Sequence, residues 1–247
     1  MHPTKLHQFF NNNPTFDRSD WHALTRPCID MALTDSFHVS GSYWGGKPYL
    51  PKDFELPKAP QGNEYRFIGQ LNFADFADIS MPVAMPKSGV LSLFYLEYAP
   101  DWQMGDNEPF WQDDGFIRAF YFADTADFVV HDDKDTGTPA KGIIFKLGVD
   151  LPCNRYFDVN YPPDMGNFYD AFYDGFDDLP DHIFGYPTNN SLGYDPTPQD
   201  GEWLPLISLQ SHNELNWCWH DGDHLMVFIE KSALVKGDFS NLKTDAG

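Results

Sequence analysis

The sequence predicts a mainly β (α+β) fold in which two repeated β units form a single body. Three observations support this prediction. From about residue 40 onward, Pro and Gly recur every few residues and separate short apolar runs, which is typical of strands and turns. The 247 residues are 42% hydrophobic and 17% aromatic, enough apolar material for a large core. In addition, several short motifs of the first half recur in the second half.

The sequence of residues 1–40 predicts a short helical segment that precedes the β units. A helix could begin at Ser19 or Asp20, and Pro27 would end or kink it. The N-terminus carries no apolar run of the length that a signal peptide needs, and no part of the sequence is apolar for long enough to span a membrane. We therefore expect a cytoplasmic protein.

The cysteines agree with that compartment. Cys28, Cys153 and Cys218 are far apart and odd in number, which favours reduced thiols over a disulfide framework.

Six apolar runs predict strands in the remainder of the chain. They cover residues 66–72, 89–98, 116–122, 142–147, 204–210 and 224–230. The segment 129–138 has the pattern of a further strand that leads into a charged turn. Because 20 prolines and 19 glycines are spread through the chain, long helices are not expected.

The internal repeat consists of three matched blocks. Residues 46–48 and 67–68 recur 139 residues later as 185–187 and 206–207, and residues 91–95 recur at an offset of 134 as 225–229. Gln70 has a counterpart in Gln210. This order predicts one domain over residues 41–247, made of units at about 41–150 and 151–247. The alternative is a chance similarity between Gly-Pro turns and apolar strands.

An acidic helix is predicted around residues 166–178. Phe168, Phe172 and Phe176 are four residues apart, and Asp170, Asp174 and Asp178 keep the same spacing. On a helix this spacing places the aromatic rings on one face and the carboxylates on another. The simplest interpretation is an ordinary amphipathic helix that packs through its rings and exposes its acids to water.

The charge of the chain is strongly negative and unevenly distributed. The formal net charge is -21, which argues against binding to nucleic acid or to an anionic membrane surface. Between Arg155 and Lys231 there is no Lys or Arg in 75 residues, and the same stretch contains 14 acids. A surface of one sign favours a partner of the opposite sign. An organism that keeps all its proteins acidic is the alternative explanation.

Several motifs resemble those of the YwqG-like bacterial proteins. Residues 44–57 resemble the Gly-Gly and Leu-Pro opening of that family, and residues 67–73 and 86–94 resemble two of its strands. In the second half, the matching segments are 182–187, 206–210 and 219–228. The resemblance covers about residues 40–245. It implies a mainly β, internally repeated, roll-like architecture and brings no catalytic residues.

The resemblance also has a functional implication. The role of the family is largely unassigned, but some members are similar in genomic setting to immunity proteins that neutralise secreted bacterial toxins. The present chain departs from the family pattern at His220, Gly222, Asp223 and His224. This departure puts any shared small-ligand role of that turn in doubt.

The function predicted from these features is non-catalytic protein binding. The expected partner is a cognate basic toxin, held by an acidic, aromatic-rich face, with no cofactor, no metal and no catalytic residue. Toxins that act on nucleic acids need basic surfaces, which an acidic inhibitor can occupy. The predicted partner-binding residues are Asp164, Asp170, Asp174, Asp177, Asp178, Asp181, Tyr161, Tyr169, Tyr173, Trp219, Asp221 and Asp223.

Three other functions stay open at the level of sequence. Cys218, His220 and His224, with His212 nearby, are the residue types of a transition-metal site, but the spacing of a closed zinc site is missing. A hydrolase would need a pair of isolated carboxyl groups or an activated nucleophile, for which Cys153 is weak support. A small-molecule or carbohydrate-binding protein would need a concave pocket lined by Trp and Tyr.

Overall fold

The predicted strands form the main part of the structure. The structure is a computed structural model, and it describes residues 1–56, 58, 64–97, 111–152, 159–175, 180–188 and 196–247. The helices are α1 (Pro3–Asn12), α2 (Arg18–Ala23), α3 (Met165–Gly175) and α4 (Lys231–Lys236). The strands are β1 (Arg26–Thr34), β2 (Tyr43–Trp44), β3 (Tyr49–Pro51), β4 (Glu64–Asn72), β5 (Val90–Glu97), β6 (Ile117–Phe122), β7 (Phe128–Val130), β8 (Lys141–Asp150), β9 (Asp181–Phe184), β10 (Trp203–Gln210), β11 (His224–Glu230) and β12 (Leu242–Ala246). Short 3₁₀ helices cover Phe73–Phe76, Asp132–Lys134 and Asn213–Leu215. The mainly β prediction is confirmed, and all six predicted strands are present.

Ten of these strands form one antiparallel sheet that nearly closes on itself. Its order is β12-β11-β10-β9-β1-β8-β2-β4-β5-β6, and β3 pairs separately with β7. The outer strands approach each other, because Lys243 Nζ on β12 lies 2.5 Å from Asp114 Oδ1 just before β6. Nearby, the Thr244 hydroxyl donates a hydrogen bond of 2.5 Å to the Trp111 carbonyl oxygen. These contacts tie the two ends of the sheet together.

The sheet has two matching halves on either side of the central β1–β8 pair. One half runs β9-β10-β11-β12 and the other β2-β4-β5-β6. Each half has a register irregularity in the corresponding strand pair. It lies between Phe67 and Gly69 in the β4–β5 pair and between Pro205 and Ile207 in the β10–β11 pair. The repeated sequence blocks therefore occupy equivalent strands.

The turns before β4 and β10 match as well. Gly45 and Gly46 have φ of 68° and 66°, and Phe184 and Gly185 have φ of 65° and 78°. The second half therefore places a phenylalanine in a left-handed conformation that costs a non-glycine residue about 1 kcal/mol or more.

The N-terminal segment differs from the prediction. Helices α1 and α2 form, and Asp17 caps α2 by accepting a hydrogen bond of 2.8 Å from the Ser19 amide. However, the predicted helical segment reaches residue 40, whereas Arg26–Thr34 is strand β1 at the centre of the sheet. β1 pairs with residues 142–150 of β8 and buries Cys28 and Ile29 completely. Pairing on both sides makes this segment a strand, because tertiary context outweighs local preference.

The two largest apolar clusters of the described residues connect the elements of the fold. The larger cluster contains residues from both halves of the sheet, including Ile68, Leu91, Ile207 and Leu225. The smaller cluster joins α1, α2 and α3 on one side of the sheet. No helix within the described ranges is long and apolar enough to cross a membrane.

Candidate functional site

Helix α3 exposes the predicted carboxylates and buries most of its rings. Phe168 and Phe172 are buried against α1 and α2, and the Phe168 ring stacks on Trp21 with 3.5 Å between centroids. Asp170 and Asp174 are exposed. This arrangement agrees with the simplest interpretation of the helix, in which the rings dock and the acids face water.

One aromatic side chain of α3 is exposed beside these acids. Tyr173 keeps 42% of its surface exposed, and its ring stacks on Tyr169 with a centroid distance of 5.7 Å. Because Tyr169 is buried, it holds the Tyr173 ring in place. Asp164, just before α3, is partly exposed. We call Asp164, Asp170, Tyr173 and Asp174 the α3 acidic face.

Three other predicted partner-binding residues are buried. Tyr169 donates its hydroxyl hydrogen bond to the Pro152 carbonyl oxygen, and Trp219 packs 5.5 Å from Tyr95 between ring centroids. Asp181 is only 3% exposed. A partner cannot reach these side chains without a rearrangement of the fold, so in this structure their role is packing and internal hydrogen bonding. Tyr161 is partly buried in the same cluster as α3.

The Asp181 carboxylate forms a polar pair that the sequence analysis missed. Its Oδ2 atom lies 2.7 Å from His212 Nε2, and its Oδ1 atom accepts a hydrogen bond of 2.8 Å from the backbone N–H of Gln210. These partners satisfy an acid that would otherwise be costly to bury. No local motif could have revealed the pair, because 31 residues separate its members.

The segment 218–223 is a loop and turn. The 3₁₀ helix Asn213–Leu215 follows β10, and the turn at His220 leads into β11. His220 has φ of 48°, and its Nδ1 atom lies 3.7 Å from Asp221 and 3.5 Å from Asp223. The predicted acids of this turn are therefore grouped around one histidine.

The metal alternative gains no support from this turn. Cys218 and His220 precede β11 and do not lie two apart on one strand. Within the part of the chain that the structure describes, no group of three His, Cys, Asp or Glu side chains could hold a metal ion.

His224 at the start of β11 is the histidine with the most unusual environment. Burial lowers its pKa to about 4, and the neighbouring Asp181 only partly offsets this effect. Its Nδ1 atom is buried without a hydrogen bond among the described residues. The ring is therefore neutral at physiological pH.

Carboxyl groups with clearly changed pKa values belong to caps and ion pairs of the surface. The Ser19 hydroxyl lowers the pKa of Asp17, the Lys141 ammonium lowers that of Asp35, and the Ser240 hydroxyl lowers that of Asp238. Lowered values are the opposite of what a general acid needs. Asp177, Asp178 and Cys153 lie outside the described residues.

Comparison with known proteins places the chain in a family. Residues 42–245 match the sequence profile of a family described as "Domain of unknown function (DUF1963)". The chain belongs to the DUF1963 family. No curated protein matches it.

The DUF1963 match leaves out part of the body that carries the site. It begins just before β2 and ends within β12, so it contains α3 and the turn 218–223. It excludes α1, α2 and β1, although β1 is central to the sheet and the two helices pack on α3. The presentation of the α3 acidic face therefore depends on residues that precede the family match.

Proposed function

We propose that this chain is a non-catalytic protein-binding domain that holds a basic protein partner through the α3 acidic face. The observation that carries the proposal is the exposed Tyr173 ring on the same helix as the exposed acids Asp170 and Asp174. Asp221 and Asp223 of the turn 218–223 extend the set of exposed or partly exposed acids.

The electrostatics of the face support a partner and not an internal role. Neither Asp170 nor Asp174 forms an ion pair within the described ranges, whereas Glu202 and Glu214 each lie within 2.7 Å of a lysine ammonium. Unpaired acids at i,i+4 on one helix repel each other by a few tenths of a kcal/mol. A basic partner would turn that repulsion into attraction and would raise the association rate.

Tyr173 would supply the short-range part of the interaction. Tyrosine is enriched among the residues that dominate binding energy, since it buries a large ring and keeps a polar hydroxyl. Its stacking on Tyr169 reduces the entropy that the ring would lose on binding.

The biological role that we propose is that of a YwqG-like immunity protein of the bacterial cytoplasm. The resemblance to that family and its genomic settings support this assignment. A toxin that cleaves or modifies nucleic acid needs a basic active-site surface, and the α3 acidic face would cover it in place of phosphates. The product of the adjacent reading frame is then the first candidate partner, and a secreted basic domain is the expected product.

The first experiment measures binding to that neighbouring product by titration calorimetry. The variant Asp170→Asn/Asp174→Asn should weaken the affinity by about tenfold at low salt and much less at about 0.3 M NaCl, because screening shortens the reach of surface charges. The matched control is Asp53→Asn/Asp78→Asn, which removes two exposed acids elsewhere. Equal losses in both variants, or an unchanged salt dependence, would rule out the α3 acidic face.

A second variant tests the aromatic anchor. Tyr173→Ala should cost about 1–2 kcal/mol of binding free energy with little change in association rate, since its contribution is made at short range. Co-expression in a growth assay then reports neutralisation: wild-type chain should protect cells from the neighbouring toxin, and the double Asn variant should protect less.

A further inference from the structure

A cleft of about 810 Å³ opens between α1, the end of β1 and the loop that follows β10. Its volume falls within the range of about 300–1,000 Å³ that is usual for small-molecule sites. Its lining includes Lys5, Lys146, Asp30, Gln210, His212 and Glu214. None of the residues of the α3 acidic face lines it, so its role is independent of the protein-binding function.

The cleft exists because the two halves of the sheet end differently. β9 begins at Asp181 opposite Met31, so residues 32–34 of β1 extend beyond it. In the first half, the 3₁₀ helix Phe73–Phe76 packs against the central pair, with the Phe76 ring 4.6 Å from Phe145. In the second half, the 3₁₀ helix Asn213–Leu215 buries only Leu215. The first of these 3₁₀ helices thus buries two phenylalanines, whereas the second buries one leucine, and the cleft lies beside the second.

The acids of the cleft are already satisfied by other groups of the chain. Glu214 lies 2.6 Å from Lys141 Nζ. Asp181, which does not itself line the cleft, has its Oδ2 atom 2.7 Å from Nε2 of the lining residue His212. Asp30 accepts hydrogen bonds from the backbone nitrogen of Met1 and from the Cys28 thiol.

The two lysines of the cleft differ from these acids, because neither forms an ion pair within the described part of the chain. Both of them, Lys5 and Lys146, are exposed. His212 adds an imidazole whose Nε2 atom is fixed by the buried Asp181 carboxylate. Lys5 and Lys146 therefore supply the positive charge of a lining that also contains Asp30 and Glu214.

We propose that this cleft binds a small anionic ligand that carries phosphate or carboxylate groups. Lys5 and Lys146 neutralise the charge of the ligand, and the His212 ring, oriented by Asp181, lines the same cleft. Charge-assisted hydrogen bonds from ammonium groups to phosphate or carboxylate are about twice as strong as neutral ones. The negative field of the rest of the protein opposes anion binding, so binding requires these local cations.

The experiment titrates inorganic phosphate and citrate into the full chain by calorimetry at constant ionic strength. At least one probe should bind saturably at one site. The variant Lys5→Gln/Lys146→Gln should weaken that binding by about tenfold or more, equivalent to about 1.4 kcal/mol. The control Lys52→Gln/Lys87→Gln removes the same charge from exposed lysines outside the cleft and should change the affinity less than about twofold.

A second measurement locates the ligand. In nitrogen-15 imidazole spectra, the His212 ring signals should move with the same saturation curve as the calorimetry, and those of His38, which lies outside the cleft, should not. Absence of saturable binding by both probes overturns the proposal. It is also overturned by equal losses in the two lysine variants or by binding that leaves the His212 signals unchanged.

Discussion

At the scale of single residues, His224 is the clearest difference between the two halves of the sheet. The Phe73 amide bonds to the Gly89 carbonyl oxygen, and the Ser211 amide bonds in the same way to Asp223. The next residues, Val90 and His224, are therefore equivalent first residues of β5 and β11. The second half places an ionisable ring where the first half has a small apolar side chain.

This exchange predicts a specific dependence of stability on pH. The pKa of His224 is lowered to about 4 by burial, whereas an unfolded histidine has a pKa of about 6.5. The unfolded chain therefore takes up a proton at a pH where the folded chain does not, and stability is lost as pH falls from about 6.5 towards 4. Between pH 7.5 and 5.0 this loss amounts to about 2 kcal/mol.

The variant His224→Val should remove this contribution. Urea unfolding of both proteins at about pH 7.5 and pH 5.0 gives the comparison, in which the other titrating groups cancel. The variant should gain about 2 kcal/mol relative to wild type on acidification. The same pH dependence in both proteins would show that the ring is protonated in the folded state.

At the scale of elements, α3 is held almost entirely by aromatic packing. Its ring cluster joins Phe168 to Trp21, Phe9 and Phe16, with Phe168 fully buried. The helix has only 11 residues, too few to be stable alone in water. The exposed acids are therefore positioned by the buried rings.

The variant Phe168→Ala tests this dependence. Removal of a fully buried phenylalanine ring costs about 3–5 kcal/mol of unfolding free energy. Tyr173→Ala on the exposed side of the same helix is the control and should cost less than about 1 kcal/mol. Urea unfolding followed by tryptophan fluorescence measures both. Similar costs for the two variants would mean that α3 does not dock through Phe168.

Much of the fold at this scale could be predicted from the sequence. The apolar runs that became β5, β10 and β11 carry strong local signals, and the four-residue spacing of rings identified α3. β1 was missed because residues 1–40 were assigned to a helical segment that Pro27 would end or kink, and only pairing with β8 and β9 makes residues 26–34 a strand.

The site was harder to predict than the elements. The acids of α3 are exposed as the spacing implied, but the same spacing does not tell which rings dock, so buried Tyr169 and exposed Tyr173 were not separated. The pair Asp181–His212 and the cleft beside it bring together residues from distant parts of the chain. Neither has a local signature.

At the scale of the whole molecule, the two halves of the sheet are joined by the central strands β1 and β8. Their register runs from Arg26 opposite Asp150 to Thr34 opposite Gly142, and each strand then carries one half of the sheet on its other side. The halves differ in what covers and surrounds them.

The charge of the molecule sets its overall response to salt. The chain has 37 acids and only 16 bases, and several of the bases, including Lys47, Lys231 and Lys243, are already paired with acids. Folding brings the remaining acids closer together and so costs electrostatic free energy. Salt weakens exposed ion pairs, but each of these is worth at most about 1 kcal/mol.

Screening of the unpaired acids should therefore dominate, and the folded state should become more stable as salt is added. Between about 10 mM and 0.3 M NaCl, where the Debye length falls from about 30 Å to below 10 Å, we expect the unfolding free energy to rise by about 1–2 kcal/mol. Urea is the suitable denaturant because it carries no charge. The variant Asp170→Asn/Asp174→Asn, with a smaller net charge, should show a smaller rise. A fall in stability with salt would mean that the ion pairs, among them Lys243–Asp114 between the two ends of the sheet, contribute more than the repulsion that they only partly offset.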